Sequence, residues 1–135
     1  MNQVFQSLYG TLTASTALTS LLSGTAAVYD TQPPQSAHYP FLVMDQQGWS
    51  IETIDANERE DAYITIKAIS MTSLGQAGTI DAAVRVLLNN GSASISGHTT
   101  IWQKATEQIR YVETDAAGRS FYHVGHVYRL RFTNT

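Results

Sequence analysis

The last third of the chain has the pattern of one long antiparallel hairpin. Residues 102–113 and 121–132 predict two strands, joined by a turn at residues 115–119. Apolar residues recur at every second position of the second strand, so one face suits a core and the other suits water or a partner. The first face carries Tyr122, Val124, Tyr128, Leu130 and Phe132, and the second carries His123, Gly125, Arg129 and Arg131. Because no evident catalytic group lies along this hairpin, the pattern favours a scaffold over an enzyme.

The length and the residue types limit the kinds of protein that this chain can be. A chain of 135 residues fits one domain, and we expect residues 1–135 to form it. The absence of cysteine excludes disulfides and thiolate metal sites. No apolar run approaches the ~20 residues of a membrane span, and the N-terminus lacks the features of a signal peptide. We therefore expect no membrane association, and folding in a cytoplasm.

The charge pattern argues against duplex nucleic acid as the main ligand. The net charge is -3, and no cluster of Lys and Arg is present to neutralise phosphates. Charged residues make up 14% of the chain, against about 25% in typical domains, and Ser, Thr, Gln and Asn replace them. Such a surface is either merely polar or one that becomes buried in an assembly, and composition leaves both interpretations open.

The N-terminal third predicts two helices. An amphipathic helix is expected over residues 2–12, and a second, short helix follows with Ser15 as its N-cap and residues 23–24 as its end. The apolar stripe of the first consists of Val4, Phe5, Leu8 and Leu12, and that of the second of Leu18, Leu21 and Leu22.

The middle of the chain predicts two strands with an unusual segment between them. A Pro-rich link precedes an apolar strand at residues 41–44, and residues 61–71 alternate as a strand with one buried face. The isomer of the Tyr39–Pro40 bond is left open. The polar segment between the strands, residues 46–60, carries Trp49, Ile51 and Ile54. Either it is a hairpin arm whose apolar residues contact a neighbouring subunit, or it folds back on its own core.

A third helix is predicted at residues 79–88. Thr79 can serve as its N-cap, and residues 89–91 end it. Asp81 and Arg85 are expected to pair on its outer side at i, i+4 spacing. Val86 falls outside the apolar stripe and is a candidate subunit contact.

The order of these elements predicts an α+β fold. We expect an antiparallel or mixed β-sheet with two main helices packed on one face and a long C-terminal β-hairpin. No catalytic, cofactor or metal site is predicted. His123 and His126 point to opposite faces of a strand and cannot chelate one ion, and no carboxylate partner is evident for His38 or His98.

The same features, in the same order, resemble a known family. The segments LYGTLTASTALTSLLSG and VYDTQPPQSAHYPFLVM, then the helix at residues 79–88 and the turn at 115–119, are similar to the tail-terminator or tail-completion proteins of long-tailed bacteriophages. The resemblance spans most of the chain. It lies in packing motifs and includes no reactive group.

The resemblance implies a structural virion protein at the head-proximal end of the tail, assembled in the host cytoplasm. Such a protein forms a ring, commonly a homo-hexamer, that caps the tail tube, stops its polymerisation and presents a surface to the head connector. Its partners are then the tail tube protein and the connector (stopper or adaptor) protein, while genome DNA passes through the ring without sequence-specific binding. It would be no enzyme and would need no cofactor.

The interface residues expected on this basis come from the apolar and charged positions already named. They are Trp49, Ile51, Ile54, Val86, Arg129 and Arg131. The two arginines would line the channel or pair with acidic residues of the neighbouring subunit. Two alternatives stay open, namely another head-to-tail connector protein and a small monomeric enzyme or ligand-binding domain.

Overall fold

The computed structural model describes residues 2–24, 27–54, 57–89, 91, 95 and 97–134, with the side chains at positions 2, 53, 54, 57, 101, 102 and 134 excepted. Three helices and five strands occur in this part of the chain. In chain order they are α1 (Asn2–Ala14), α2 (Thr16–Thr19), β1 (Val28–Asp30), β2 (Phe41–Ile54), β3 (Asn57–Ser70), α3 (Leu74–Leu88), β4 (His98–Thr114) and β5 (Ser120–Asn134).

The strands form one mixed sheet in the order β1-β2-β3-β5-β4. β1 runs parallel to β2, and the other neighbours are antiparallel. This arrangement confirms the predicted α+β class, with the sheet, the two main helices and the long C-terminal hairpin.

The C-terminal hairpin extends a few residues beyond its predicted bounds at both ends. Its turn holds Gly118 at a φ of 80°, a conformation that glycine adopts without steric cost. Asp115 accepts hydrogen bonds at Oδ1 from the backbone N–H groups of Ala117 and Arg119, at 3.0 and 2.9 Å. The predicted turn at residues 115–119 is confirmed.

The second helix has the predicted N-cap but ends at Thr19, before the predicted end at residues 23–24, and the third helix lacks its predicted N-cap. The Ser15 side chain accepts a hydrogen bond from the Leu18 N–H and begins α2. α3 begins at Leu74, five residues before the predicted start, because the Ser73 side chain accepts from the Gln76 N–H and caps the helix there. Thr79 lies inside the helix, where its hydroxyl donates to the Gly75 carbonyl. The prediction of Thr79 as N-cap was therefore wrong.

The segment at residues 46–60 is an extended hairpin. β2 and β3 pair along almost their whole length, from Phe41 opposite Ile69 to Ile54 opposite Asn57, with one register shift between Gln46 and Gly48. Each of the two predicted alternatives, a hairpin arm and a segment folded back on its own core, is correct in part. The segment is a hairpin, and its Trp49 packs against the core of its own chain.

The core lies between the helices and one face of the sheet. Alternate residues of the three central strands point into it together with the apolar stripes of α1 and α3. The strand residues are Leu42, Met44, Ala62, Ile64, Ile66, Ala68, Val124, Tyr128, Leu130 and Phe132, all buried. At ~1.5 to 3 kcal/mol for each large apolar side chain, this burial holds the helices to the sheet.

Two further features bear on the predictions. The Tyr39–Pro40 bond, whose isomer the sequence left open, is cis. None of the helices among the described residues combines the length and apolar character needed to cross a membrane.

Candidate assembly interface

The sheet has one face without helices, which we call the helix-free face. By the alternation of the strands, it carries the side chains that point away from the core. Its basic residues are Arg59, Lys67, Lys104, Arg129 and Arg131, and its acidic residues are Asp45, Glu52, Asp61, Glu107 and Glu113. Among the described residues the numbers of the two signs are equal, so this part of the face has no excess of either charge.

On the helix-free face, two arginines share one carboxylate. Asp61 on β3 accepts hydrogen bonds from Arg131 Nε and Nη2, at 2.8 and 3.0 Å, and from Arg129 Nη2 at 2.8 Å. The Arg129 guanidinium also lies over the ring of Tyr63, 5.4 Å from its centroid. The hydrogen bond from Arg131, assisted by Arg129, holds the pKa of the Asp61 carboxyl below its usual range. The same contact with Asp61 raises the pKa of Arg131.

Arg129 and Arg131 thus lie side by side on the helix-free face, where the sequence placed them. Each has an acidic partner in its own chain, Asp61. A carboxylate shared by two arginines fixes their orientation and neutralises part of their charge. Their role toward a channel or a neighbouring subunit stays a prediction.

The apolar residues of the β2–β3 hairpin have different surroundings. Trp49 is half-buried, its Nε1–H donates to Glu60 Oε1 at 3.0 Å, and its ring lies 5.5 Å from that of Phe132. Ile51 is 62% exposed. The side chain of Ile54 lies outside the described residues. Of the two whose side chains are described, Ile51 is the one with an apolar surface open to a partner.

Val86 lies on the outer surface of α3 and is 85% exposed. It borders a shallow depression with Ala82, Arg85 and Asn89. α3 covers the other face of the sheet, so Val86 and the arginine cluster belong to different surfaces. The structure therefore does not bring the predicted interface residues into one patch.

Sequence reasoning missed a buried polar pair between α3 and β5. Asp81 Oδ1 lies 2.9 Å from His126 Nδ1, and both residues are less than a tenth exposed. The expectation that Asp81 pairs with Arg85 on the outer side of the helix was wrong. Asp81 stands four residues after the buried Ala77 and three before the buried Val84, a spacing that places it on the inner stripe. That spacing was the signal in the sequence.

The helix-free face holds a cleft of about 270 Å³ near the end of the sheet where β2 and β5 begin. Lys67 and Tyr111 line it, and Lys67 Nζ donates to the Tyr111 hydroxyl at 2.9 Å. Beside the cleft, the ring of His123 stacks on that of Tyr111 with centroids 4.3 Å apart. Burial lowers the pKa of His123, and the nearby Lys67 adds to the effect. Glu113 Oε1 lies 3.4 Å from His123 Nε2. His123, like His126, therefore has a carboxylate nearby.

The main polar contacts described above are pairs within the chain, Asp61 with the two arginines, Asp81 with His126 and Lys67 with Tyr111. Among the described residues, no three His, Cys, Asp or Glu side chains group as a metal site would require. The buried Asp81–His126 pair lies between helix and sheet and lines none of the cavities described above.

Comparisons with known proteins agree with this description. The family model described as tail completion protein gp17 matches residues 6–131. A comparison with curated proteins finds no match. Among solved structures, a chain of the virion of a native gene transfer agent particle is similar, with a TM-score of 0.79 and 18% identity over 94% of this chain and 92% of that chain.

The fold and the helix-free face define a class, a small α+β subunit whose sheet is covered by helices on one side and carries no helix on the other. A subunit of a virion particle shares this fold. The chain belongs to the tail completion protein gp17 family, and it is a structural protein of the phage tail.

Proposed function

We propose that this protein forms a ring, a homo-hexamer, on the head-proximal end of the phage tail tube. The ring stops polymerisation of the tube and presents a surface to which the head connector joins. The match to the tail completion family over residues 6–131 carries the proposal. In this role the protein acts by binding and has no enzymatic activity.

The mechanism is capping. One side of the ring occupies the binding surface at the end of the tube and offers no copy of that surface to the next tube subunit. Growth then has no template. A ring is the closed form of a repeated head-to-tail contact, and closure limits the cap to a fixed number of copies.

The helix-free face is the surface suited to a channel that passes DNA. Its charges of opposite sign are equal in number, and its central arginines are engaged by Asp61. A strongly basic lining would hold the phosphate backbone, whereas a balanced lining lets it pass without sequence-specific binding. The helix-covered face then points outward, with Val86 on its surface.

The family contains proteins that complete the tail, and the nearest alternative role is that of a connector adaptor or stopper. An adaptor with a largely helical body differs from this chain, whose strands form one broad sheet beneath two main helices. The architecture therefore supports the terminator role over the adaptor role.

The proposal is tested with purified protein and assembled tail tubes. Light scattering gives the mass of the free protein and of the mixture, and negative-stain microscopy shows the tube ends. We expect a cap at one end only and tubes that no longer grow when tube subunits are added. A protein that leaves the ends bare and the tube lengths unchanged would contradict the proposal.

Charge reversal tests the predicted role of the arginines. Replacing Arg129 and Arg131 by Glu also separates them from Asp61, so the triple variant that adds Asp61→Lys restores the local pairing with opposite signs. If these residues line the channel or contact a neighbour, the triple variant folds but forms caps with an altered salt dependence. Unchanged capping at every salt concentration would count against that role.

A further inference from the structure

Both lateral edges of the sheet include a stretch of strand without a neighbour among the described residues. On one side, β1 partners β2 only from Leu42 to Met44, and the outer edge of β2 beyond the register shift, residues 48–54, has no strand beside it. On the other side, β4 is outermost and pairs only with β5. A strand edge of this kind presents backbone N–H and C=O groups that can pair with another chain.

Each of the two open stretches begins at a register shift in its strand. In the first half of β4, residues 98–105, the backbone edge is covered at Ala105, whose N–H donates to the Asn89 side chain at 3.0 Å. A register shift between Ala105 and Glu107 separates this half from residues 107–114. On each edge a bulge therefore divides a covered half from an open half, and neither open half contains proline.

Strand direction matches the two edges to each other. β2 and β5 run one way, and β3 and β4 run the other way. If β4 of one copy lies beside β2 of the next, the antiparallel alternation continues across the subunit boundary without a break. Since the same step can repeat, this contact is heterologous, and it forms a ring when the rotation between copies closes.

We infer that residues 107–114 of β4 pair antiparallel with residues 48–54 of β2 in the next copy, so that the ring is closed by one continuous sheet. This inference rests on the proposed ring and names the contact that forms it. Exposed apolar side chains lie on both stretches. They include Ile51 on β2 and Tyr111 and Val112 on β4. By the alternation of the strands, Ile51 and Val112 fall on the same face of the joined sheet, where each covers part of the other.

The open stretches also fix how neighbours are placed along the strands. Met44 and Gln108 are level with each other, through their partners Ile66 and His126. The open part of β2 lies on one side of this level and that of β4 on the other. Neighbouring copies are therefore staggered along the strand direction. Stagger and tilt of this kind are required for a sheet to close on itself.

Self-pairing of β4 is the competing arrangement and is less favourable. A two-fold contact between two β4 edges stops at two copies and leaves both β2 edges open. Its symmetric registers centred on Glu107 or Arg110 also place like charges opposite each other, which is destabilising.

Cysteine crosslinking tests the inference, because the chain contains no cysteine of its own. Ser50→Cys on the β2 edge is combined in turn with Glu107→Cys, Ile109→Cys, Tyr111→Cys and Glu113→Cys, which share its face. The matched controls combine it with Gln108→Cys, Arg110→Cys and Val112→Cys, which point to the opposite face. Each variant is bound to tail tubes, checked for caps by microscopy, oxidised and run on a non-reducing gel.

We expect covalent multimers larger than dimers in at least one same-face combination, and their loss in the opposite-face controls. Cα atoms directly across an antiparallel pair are close enough for a disulfide, and the alternation gives the strand signature. Caps that form with no crosslink above the controls overturn the inference and leave the proposed function intact. Disulfide dimers formed by the single variant Ile109→Cys, without the cysteine at position 50, overturn it in favour of self-pairing of β4. If the unmodified protein forms no caps, the proposed function itself fails, and the inference with it.

An edge lysine gives an independent test. Val112→Lys places a charge on the exposed edge of β4, a change that blocks edge pairing in natural sheets. Thr79→Lys, exposed on α3, is the control of equal charge. We expect loss of caps for the first variant only, with an unchanged unfolding midpoint for both. Normal capping by Val112→Lys overturns the inference.

Discussion

Asp81 on α3 and His126 on β5 form a hydrogen bond of 2.9 Å inside the protein, where neither side chain has more than a small exposed area. It is a direct polar link between the third helix and the sheet. Buried polar groups are costly when left without a partner, so each residue depends on the other.

Removing one member of this pair should destabilise the fold more than removing both. Asp81→Ala leaves the His126 Nδ1 without its partner and should lower the free energy of unfolding by about 1 to 3 kcal/mol. Asp81→Leu combined with His126→Leu removes both polar groups and should lie closer to the natural protein. Arg85→Ala, on the exposed side of α3, should change stability by no more than about 0.5 kcal/mol. Urea unfolding measures all three, and a double variant that loses as much stability as Asp81→Ala would contradict the expected order.

Gly125 should be irreplaceable for a steric reason. A Cβ added there would lie 2.5 Å from the Ile66 carbonyl oxygen and from Lys67 Cα, which are backbone atoms that cannot turn aside. Gly125→Ala should therefore cost about 1 to 3 kcal/mol or more. Gly10→Ala is the control, because the space around Gly10 in α1 is open, and this variant should gain about 0.5 to 1 kcal/mol. Thermal unfolding should shift in opposite directions for the two changes.

Asp61 should make stability depend on pH in the acid range. Its pKa is lowered in the folded protein by Arg131 and Arg129, so its contribution is present above the unfolded value of about 3.9 and is lost as the pH falls through the folded value. We expect Asp61→Asn to be less stable by about 1 to 2 kcal/mol at pH 7, a figure reduced for the partial exposure of the arginines. The difference should shrink below about pH 4. A difference that stays constant down to pH 2 would contradict this explanation.

His123 should act in a different pH range. Burial lowers its pKa, so the unfolded chain takes up a proton first, and stability falls as the pH drops below the ordinary value of about 6.5. His123→Phe keeps a ring stacked on Tyr111 and removes the proton uptake. Urea unfolding between pH 5 and 8 should show a flatter profile for this variant. An identical slope in both proteins would assign the pH dependence to other groups.

Variants of Ile51 and Trp49 should distinguish a residue of the interface from a residue of the core. Ile51→Ser changes an exposed side chain and should alter stability by no more than about 0.5 kcal/mol while reducing capping of tail tubes. Trp49→Ser removes a ring packed on Phe132 and should cost about 3 kcal/mol, lowering capping through loss of folded protein. Val86→Ser asks the same question of the α3 surface. Normal capping by Ile51→Ser would remove this residue from the predicted interface.

The sequence predicted the elements whose evidence is local. The period of two in β5, the Ser15 cap and the glycine of the last turn each depend on neighbours within a few positions. The errors concern choices between two competing local signals. α3 is capped by Ser73 and not by Thr79. The two glycines in its first turns do not prevent a helix, because the Ser73 side chain satisfies an N–H group at the helix start.

The candidate interface was predictable only in part, because it depends on contacts between distant segments. The two arginines were placed on the correct face by the alternation of β5, but their partner, Asp61, lies about seventy positions earlier. The open edges follow from the strand order, in which β5 lies between β3 and β4. No periodicity in the sequence gives that order.

The two hairpin connections lie at opposite ends of the sheet. The turn at Asp115 is at the end where β2 begins, and the connection between β2 and β3 is at the other end, beside the end of β5. A ring of these subunits, with its strands tilted to the ring axis, consequently has two unlike rims, one formed by each set of hairpins. A tube and a connector could therefore dock on opposite rims without competing, and the orientation of the tail would already be encoded in the direction of the strands.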